Sequence, residues 1–440
     1  MSAERGAIDL WSGVGLVVAS MVGTGVLVSN GFMLGALSAG QIFAVWIVQA
    51  GLAIVGAIAY ARISRLIPRS GGEFRYLSEL FHPGLGYLAG WTSLLVGFAA
   101  PVAGAAATAG SFAEEIGMPL PARATAAIVI LAVTGFQMFD MRAAKWSQNL
   151  FVTIKVTLFV ALVGIGFALG SHELPEQTLG NGAPVEVFVI NFFFAAYAFS
   201  GWNASIYAAE EFRKPGRDVA RSMIIGTLAV TALYLLVTYV FVFNLTPEDT
   251  ASIQGSMERG AHLIVAKLLG PGAAVVASFG IILVLVSSCN AMTLVGPRVN
   301  AAMAGDGYLP KIFRSREGKP PTASVALQGA IAMALMLTHS IKGLIQNVGI
   351  MLTLMSALTV LGLVRAKFFA RESEHGREKL GWGPVAAALV YAGFAGWMIV
   401  KALSMQKDEG LASAGAWITG ITVASMVAYV ATRHLRRSST

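Results

Sequence analysis

Long apolar runs, separated by short polar segments, follow one another along nearly the whole chain. A helix that crosses a bilayer needs about 20 mostly apolar residues. By this measure the pattern predicts twelve spans, at 10–37, 41–66, 84–111, 122–140, 148–170, 187–209, 219–244, 271–304, 321–339, 343–364, 384–403 and 411–432. The segments between them are too short for a soluble domain. The sequence therefore predicts an all-α membrane protein.

Two of the spans contain residues that interrupt a helix. Gly23-Thr24-Gly25 lies in the middle of span one, and Ser200-Gly201-Trp202-Asn203 is the polar interruption of span six. Irregular backbone at membrane depth is tolerated only where it lines a protein cavity. Breaks in the first and sixth spans are typical of two inverted five-helix repeats. We therefore expect one transporter domain with repeats over 10–170 and 187–364 and two peripheral helices over 384–432.

A break in span one predicts a particular chemistry. The half-helix that begins near Gly25 presents free N–H groups and a positive dipole end, which suit a carboxylate. The preceding half leaves carbonyls around Ala19 to Val22, which suit an ammonium group. Glycine lets a ligand approach the backbone closely. The sequence thus predicts a site for the zwitterion of an α-amino acid.

Composition and charge agree with a membrane protein. The chain is 56% hydrophobic and only 12% charged, whereas soluble domains carry about 25% charged residues. The net charge of +8 does not indicate nucleic-acid binding, because Lys and Arg concentrate in the loops on one side of the predicted spans. The loops on the other side hold only Arg123, Arg259, Lys267, Lys342, Lys401 and Lys407. By the positive-inside rule, we expect a multi-pass protein of the inner or plasma membrane with both termini in the cytoplasm.

Several function classes lack the residues they need. Cys289 is the single cysteine, so no internal disulfide forms, and the six histidines show no spacing typical of a metal site. The chain has no phosphate-binding G-x-x-x-x-G-K-[ST] sequence and no nucleophile–base pair. A channel would need a continuous polar stripe, and no span has one. We therefore expect neither an enzyme nor a cofactor or metal, and no nucleic-acid partner.

Four stretches together resemble a known family. They are VGTGV at 22–26, LIPRSGGEFRYLSELFHPGLGYLAGW at 66–91, YAFSGWNASIYAAEEFRKPGRDVARS at 197–222 and RVNAAMAGDGYLP at 298–310. In this order they resemble the amino acid–polyamine–organocation superfamily of permeases, and in particular the bacterial relatives of its L-type amino acid transporters. The resemblance implies a LeuT-type fold of twelve transmembrane helices, with helices one and six discontinuous, that works by alternating access.

The resemblance also implies a set of site residues. By position in the motifs, Thr24, Gly25 and Val26 would hold the substrate carboxylate, and Tyr197 would be an aromatic lid and gate over the site. The rest of the predicted substrate-binding set comes from the same two breaks: Val22, Gly23, Phe199, Ser200, Gly201 and Asn203.

Lys155 lies inside span five, where an ammonium is costly and usually functional. One interpretation is that its side chain extends to the nearby membrane surface. The resemblance implies another, in which the ammonium replaces a sodium ion and pins the first half of span one to Ser287 and Ser288 of span eight. Lys155 would then either lose and regain a proton during transport or remain charged as a clamp. The first case predicts a proton symporter, and the second an exchanger or a uniporter.

The remaining expectations concern gating and substrate. The resemblance favours Glu210 and Arg298 as an inner-gate ion pair, while a solvated charge cluster is the simpler interpretation. The predicted pocket is largely apolar and has no acid for a cationic side chain, so we expect a sodium-independent permease for neutral amino acids. Two alternatives stay open: a polyamine or amine permease of the same superfamily, and a membrane sensor that keeps the fold without transport.

Overall fold

The computed structural model describes residues 8–23, 25–67, 71–139, 141–175, 182–246, 248–249, 259–314, 321–369, 380–405 and 414–432. Almost all regular structure in these ranges is helical. The one extended pairing among them is a parallel bridge between Ile8 and Phe212. This bridge ties the start of span one to the end of span six, through hydrogen bonds of 2.9 Å that Ile8 N donates to the Glu211 carbonyl and Arg213 N donates to the Ile8 carbonyl.

The helices of the first predicted repeat coincide with its five predicted spans and one connecting loop. They are α1 Leu10–Met21, α2 Gly25–Leu34, α3 Ala39–Leu66, α4 Gly72–Leu80, α5 Pro83–Thr92, α6 Ala100–Glu115, α7 Ala122–Phe139 and α8 Met141–Leu169.

The helices of the second predicted repeat and of the peripheral segment also coincide with their predicted spans, except for Gly260–Leu269, which lies in the loop between spans seven and eight. These helices are α9 Val185–Ala198, α10 Pro215–Asn244, α11 Gly260–Leu269, α12 Pro271–Gly305, α13 Thr322–Thr338, α14 Ile341–Phe369, α15 Trp382–Met405 and α16 Ala414–Ala431. A 3₁₀ helix, Ala204–Glu211, continues span six beyond its break.

Length and apolar character support a multi-span membrane protein. In the described residues, seven helical segments are long and apolar enough to cross a bilayer, and the bent pair α1–α2 makes an eighth. Shorter apolar helices occupy the other predicted spans. The all-α, multi-span prediction is confirmed, and the count of twelve crossing helices remains a prediction.

Span one is discontinuous, as predicted. Helix α1 ends at Met21 because Val22 turns to extended backbone (φ −64°, ψ 109°). After the break, α2 begins at Gly25 and its axis is bent by 44° from that of α1. Thr24, the central residue of the predicted break, lies outside the described residues.

Span six is discontinuous as well. Helix α9 ends at Ala198, and the chain passes through a turn before the 3₁₀ helix begins at Ala204. Gly201 in this turn has φ +101°, a left-handed conformation that only glycine adopts without strain. This explains why a glycine stands at the centre of the polar interruption.

Span three contains a wide turn that the apolar pattern did not reveal. Residues Ser93–Ala99 form a π-helix, in which the N–H of Ala100 bonds to the carbonyl of Leu95, between α5 and α6. Pro101, which lacks a backbone N–H, follows directly. The π-helix packs against α12, the span that carries Ser287 and Ser288.

The broken spans lie at the centre of the molecule. Helix α10 packs against α1 and α3, and α9 packs against α2 and α14. The side chains of Phe192, Phe193 and Phe194 on α9 are at most 1% exposed. On the peripheral α16, in contrast, Met426 is 68% exposed, which fits a surface that faces lipid.

The conformation of Gly201 makes a stability prediction. A Cβ at this position would lie 2.9 Å from the backbone of Ser20 and would impose a positive φ on an L-residue. We expect Gly201→Ala to destabilise the fold by about 1–3 kcal/mol, measured as a lower thermal denaturation midpoint of the purified protein in detergent. Gly15→Ala is the matched control, because nothing lies within 4 Å of a Cβ there. Equal midpoints for the two variants would contradict the role assigned to Gly201.

Candidate functional site

The two breaks lie against each other. A Cβ at Gly25 would lie 2.9 Å from Cα of Ala198, just as a Cβ at Gly201 would lie 2.9 Å from Ser20. Each glycine thus permits a close approach between the backbone of span one and that of span six. The structure therefore brings together the two sequence segments that were predicted to form one site.

Helix ends at this meeting point provide backbone donors. The first N–H groups of a helix have no partner within the helix, and α2 begins at Gly25 in a fully buried environment, with Val26 0% exposed. The positive end of the α2 dipole is therefore buried in the centre of the protein. Such an end attracts an anionic group.

The backbone acceptors of α1 differ from the prediction. We expected the carbonyls around Ala19 to Val22 to be unpaired, but the Tyr234 hydroxyl donates to the carbonyl of Met21 at 2.7 Å. The prediction was wrong for Met21. It treated span one by itself and so did not anticipate a donor from span seven.

Tyr234 is a residue of the candidate site that the sequence did not predict. Its hydroxyl lies 2.7 Å from the carbonyl of Met21 and 3.0 Å from the carbonyl of Ala198, the last residues of α1 and α9. One O–H hydrogen is thus shared between the ends of both broken helices. The buried ring packs edge-on against Trp46 and Phe199, with centroids 5.4 and 5.6 Å away. The sequence could have indicated Tyr234, because a tyrosine hydroxyl at membrane depth needs a hydrogen-bond acceptor.

The predicted pocket residues cluster around the breaks. Tyr197 lies between α2 and α6. Its ring is 3.5 Å from the position that a Cβ at Gly25 would take, and its hydroxyl is 4.0 Å from the position that a Cβ at Gly104 would take. Phe199 is fully buried against Trp46 and Tyr234. The other residues of this set border the same breaks: Val22 is buried, whereas Gly23, Ser200, Gly201 and Asn203 are half-buried.

The end of the site that adjoins α2 is covered by α11. A Cβ at Gly260 would lie 3.1 Å from the Phe241 ring and 3.7 Å from Cα of Gly31, so α11 begins directly on α2. Arg259, just before α11, forms a salt bridge with Glu115 at the end of α6 and donates to the Ser111 hydroxyl at 3.1 Å. These contacts hold α11 over the central site.

Comparison with known proteins agrees with this architecture. The family model described as amino acid permease matches residues 8–429. The b(0,+)-type amino acid transporter 1 of Mus musculus is 26% identical over 383 residues, which cover 83% of this chain and 77% of the relative. The large neutral amino acids transporter small subunit 2 of Homo sapiens is 27% identical over 380 residues, which cover 82% of this chain and 70% of the relative.

The chain belongs to the amino acid permease family. The match covers almost the entire sequence and both broken spans. It confirms the predicted resemblance to L-type transporters and the interpretation as a transporter rather than an enzyme.

Lys155 of the permease is buried in α8, with 2% of its surface exposed. Helix α8 packs against α12. Lys155 makes no hydrogen bond or ion pair with the described residues. The Ser288 hydroxyl donates within its own helix to the Val284 carbonyl at 3.0 Å, and the buried Ser287 hydroxyl has no partner in the described part of the chain.

The predicted clamp is therefore not formed as hydrogen bonds in this conformation, although its parts are close to the break. A Cβ at Gly23 would lie 3.6 Å from the Ser288 hydroxyl. Span eight thus borders the break in span one, while the pinning role of Lys155 stays a prediction.

The predicted gate pair of the permease is likewise not closed. Glu210 and Arg298 are both exposed, and no salt bridge joins these two described residues. Arg298 instead borders a surface cavity of about 370 Å³ together with Arg314. The ion-pair gate stays a prediction.

Metal-binding chemistry was not expected from the sequence. Within the described residues, no three His, Cys, Asp or Glu side chains are grouped so that they hold a metal ion.

The shared hydrogen bond of Tyr234 yields a prediction for activity. Removing the hydroxyl in Tyr234→Phe leaves both helix ends without this donor, at a cost of about 1 kcal/mol in a membrane protein. We expect substrate affinity to fall about fivefold, measured by equilibrium binding of a radiolabelled amino acid.

Tyr239→Phe is the control, because Tyr239 lies on the same helix and its hydroxyl contacts His172, 3.0 Å away, instead of the breaks. If both variants bind with wild-type affinity, the bridging hydroxyl has no role in the site.

Proposed function

We propose that this permease carries neutral amino acids across the plasma or inner membrane by alternating access, without sodium. One observation carries the proposal: the buried N-terminus of α2 and the C-terminal ends of α1 and α9 meet in the centre of the protein. This juxtaposition offers donors and acceptors of the backbone to one small ligand.

The two charged groups of an amino acid match these two kinds of helix end. The carboxylate binds at the N–H groups of Gly25 and Val26. Thr24, which is predicted to hold it as well, lies outside the described residues. The ammonium binds at the carbonyl ends of α1 and α9. A carbonyl oxygen has two lone pairs, so Met21 and Ala198 can accept from an ammonium while Tyr234 donates to one of them.

The surroundings of the breaks favour a neutral side chain. Val22, Tyr197 and Phe199 are apolar or aromatic, and the buried acidic residues of the described chain, Glu73 and Asp218, lie on α4 and in the first turn of α10 rather than on the broken spans. A cationic or polyamine substrate would need a carboxylate in the pocket. The name of the human relative, a large neutral amino acids transporter subunit, agrees with a neutral substrate.

Lys155 supports transport without sodium. Its buried ammonium lies on the helix that packs against α12, the span of Ser287 and Ser288. A fixed positive charge beside these hydroxyls disfavours a sodium ion at the same place. The coupling is then either proton symport, through the ammonium itself, or exchange of one amino acid for another.

The orientation follows from charge. Lys and Arg concentrate in the loops that join even-numbered to odd-numbered spans and in both terminal segments. The positive-inside rule puts those loops and both termini in the cytoplasm, so α11 covers the site from the outside.

Uptake into proteoliposomes tests the proposal. A panel of radiolabelled amino acids is offered with and without a sodium gradient, with and without an inward proton gradient, and with and without unlabelled amino acid inside. We expect uptake of neutral amino acids at a rate that does not depend on the sodium gradient. Stimulation by the proton gradient identifies a symporter, and dependence on preloading identifies an exchanger.

Lys155→Ala is compared in the same assay with Lys401→Ala, whose exposed ammonium lies 3.7 Å from Glu186. We expect the first variant to lose uptake or its coupling and the second to behave as wild type. Sodium-driven uptake that is unchanged in Lys155→Ala would contradict the proposal and return Ser287 and Ser288 to the role of ion ligands. Binding without uptake would identify a sensor.

A further inference from the structure

Glu73 is a buried carboxyl that the substrate site does not use. It lies in the first turn of α4, between spans two and three, and is only 5% exposed. Its Oε1 accepts a hydrogen bond of 2.5 Å from the Tyr60 hydroxyl of α3 and one of 3.2 Å from the Ser356 hydroxyl of α14. Three separate elements therefore meet at this one oxygen.

Tyrosines lie near the carboxyl. The Tyr60 ring packs edge-on against the Tyr76 ring of α4, with centroids 6.3 Å apart, and the Tyr207 ring of the 3₁₀ helix packs against Gly72, the residue before Glu73. Tyr391 of α15 packs against Gly56, four residues before Tyr60 on α3. We call Glu73, Ser356 and these four tyrosines the tyrosine cage.

The basic residues described near the cage make no ion pair with the carboxyl. Arg75, on the same helix, forms a salt bridge of 3.0 Å with Asp306. Arg62, two residues beyond Tyr60, forms neither a hydrogen bond nor a salt bridge with Glu73. Within the described part of the chain, the carboxyl of Glu73 has only hydroxyl partners.

A buried carboxyl without a cation favours its neutral form. Burial raises the pKa of Glu73 above its ordinary value, and this effect outweighs the hydrogen bonds from Tyr60 and Ser356, which lower the pKa because they stabilise the carboxylate. Exposure of the same group to water removes the burial effect, so the pKa falls towards the ordinary value when the cage opens.

The cage contains the parts that alternating access must separate. Tyr207 belongs to the 3₁₀ half of span six, and its ring lies so close against Gly72 that no Cβ fits there. Tyr60 packs edge-on against Trp202, in the break of span six, with centroids 5.0 Å apart. Movement of this half-helix away from α4 would open the cage.

We propose that Glu73 is a proton-binding site that links closure of the cytoplasmic side to cytoplasmic pH. When the cage closes, the carboxylate takes a proton from cytoplasmic water and forms its O–H bond; when the cage opens, that bond breaks and the proton returns to the same water. The closed state binds the proton more tightly than the open state. A rise in pH above the open-state pKa therefore favours opening.

This inference rests on the proposed function only in requiring alternating access, so its first test does not use transport. Infrared spectroscopy of the full chain in lipid nanodiscs is recorded across a pH titration, and the carboxylic-acid carbonyl band that disappears in Glu73→Gln is assigned to Glu73. We expect this band to persist well above pH 4.3, about the pKa of an exposed glutamate. Titration at the exposed value overturns the proposal whether or not the protein transports an amino acid.

Two variants sharpen the test. Tyr60→Phe removes a donor to the carboxylate, so the band should titrate at a pH about one unit higher; a shift to lower pH contradicts the arrangement. Glu79→Gln is the matched control, because Glu79 is exposed on the same helix, and its loss should leave the Glu73 band unchanged.

The link to opening is measured by exchange of radiolabelled leucine at different pH values inside the proteoliposomes. We expect the wild type and Glu79→Gln to exchange faster as the internal pH rises, while Glu73→Gln exchanges at a rate independent of internal pH. If Glu73→Gln is less stable but its exchange rate keeps the wild-type dependence on internal pH, Glu73 has only a packing role and the link is overturned. If neither the wild type nor any variant exchanges leucine or another neutral amino acid of the uptake panel, the proposed function fails while the infrared titration still decides the proton site.

Discussion

The structure depends on how interrupted helices satisfy their backbone in a medium without water. Each break frees backbone groups that hydrocarbon cannot bond. In this permease the free ends of α1 and α9 share one hydroxyl, that of Tyr234, and the start of α2 is buried against them. The breaks are therefore tolerated because they face each other, and the same contact gathers the polar groups into one place.

Small residues make this contact possible. Gly25 and Gly201 each allow the backbone of one broken span to touch the other, and Gly201 also adopts a positive φ. The aromatic rings of Trp46, Phe199 and Tyr234 pack beside the contact and fill the space around it. The helix ends supply backbone donors and acceptors, and the side chains packed beside the contact are largely apolar and uncharged, which is why the proposed substrate is a neutral zwitterion.

The sequence predicted the features that arise from local pattern. Apolar length predicted the helices, and the glycines at 23, 25 and 201 predicted both breaks, since these depend on few neighbouring residues. It did not predict Tyr234, because its role comes from two carbonyls that are far away in the chain. The π-helix at Ser93–Ala99 was missed for a similar reason, because apolar periodicity does not distinguish helix types.

Two buried ionisable groups are central to the proposals. Lys155 lies deep in α8, which packs against span eight, and Glu73 lies on α4 among the hydroxyls of Tyr60 and Ser356. Burial without an oppositely charged partner costs free energy, so each group marks a place where a change of charge has a large effect. In the proposed mechanism, the lysine governs which ions couple to transport, and the glutamate governs when the cytoplasmic side opens.

The central claim is that helix ends bind both charged groups of an amino acid. The most direct measurement is competition for binding of radiolabelled leucine to the purified permease by leucine, leucine methyl ester and N-acetyl-leucine. The ester lacks the carboxylate, and the acetylated form lacks the ammonium. We expect that only leucine competes strongly and that each analogue binds at least about tenfold more weakly, a difference of about 1.4 kcal/mol. Equal competition by either analogue would contradict the claim, because the matching helix end would then contribute nothing to recognition.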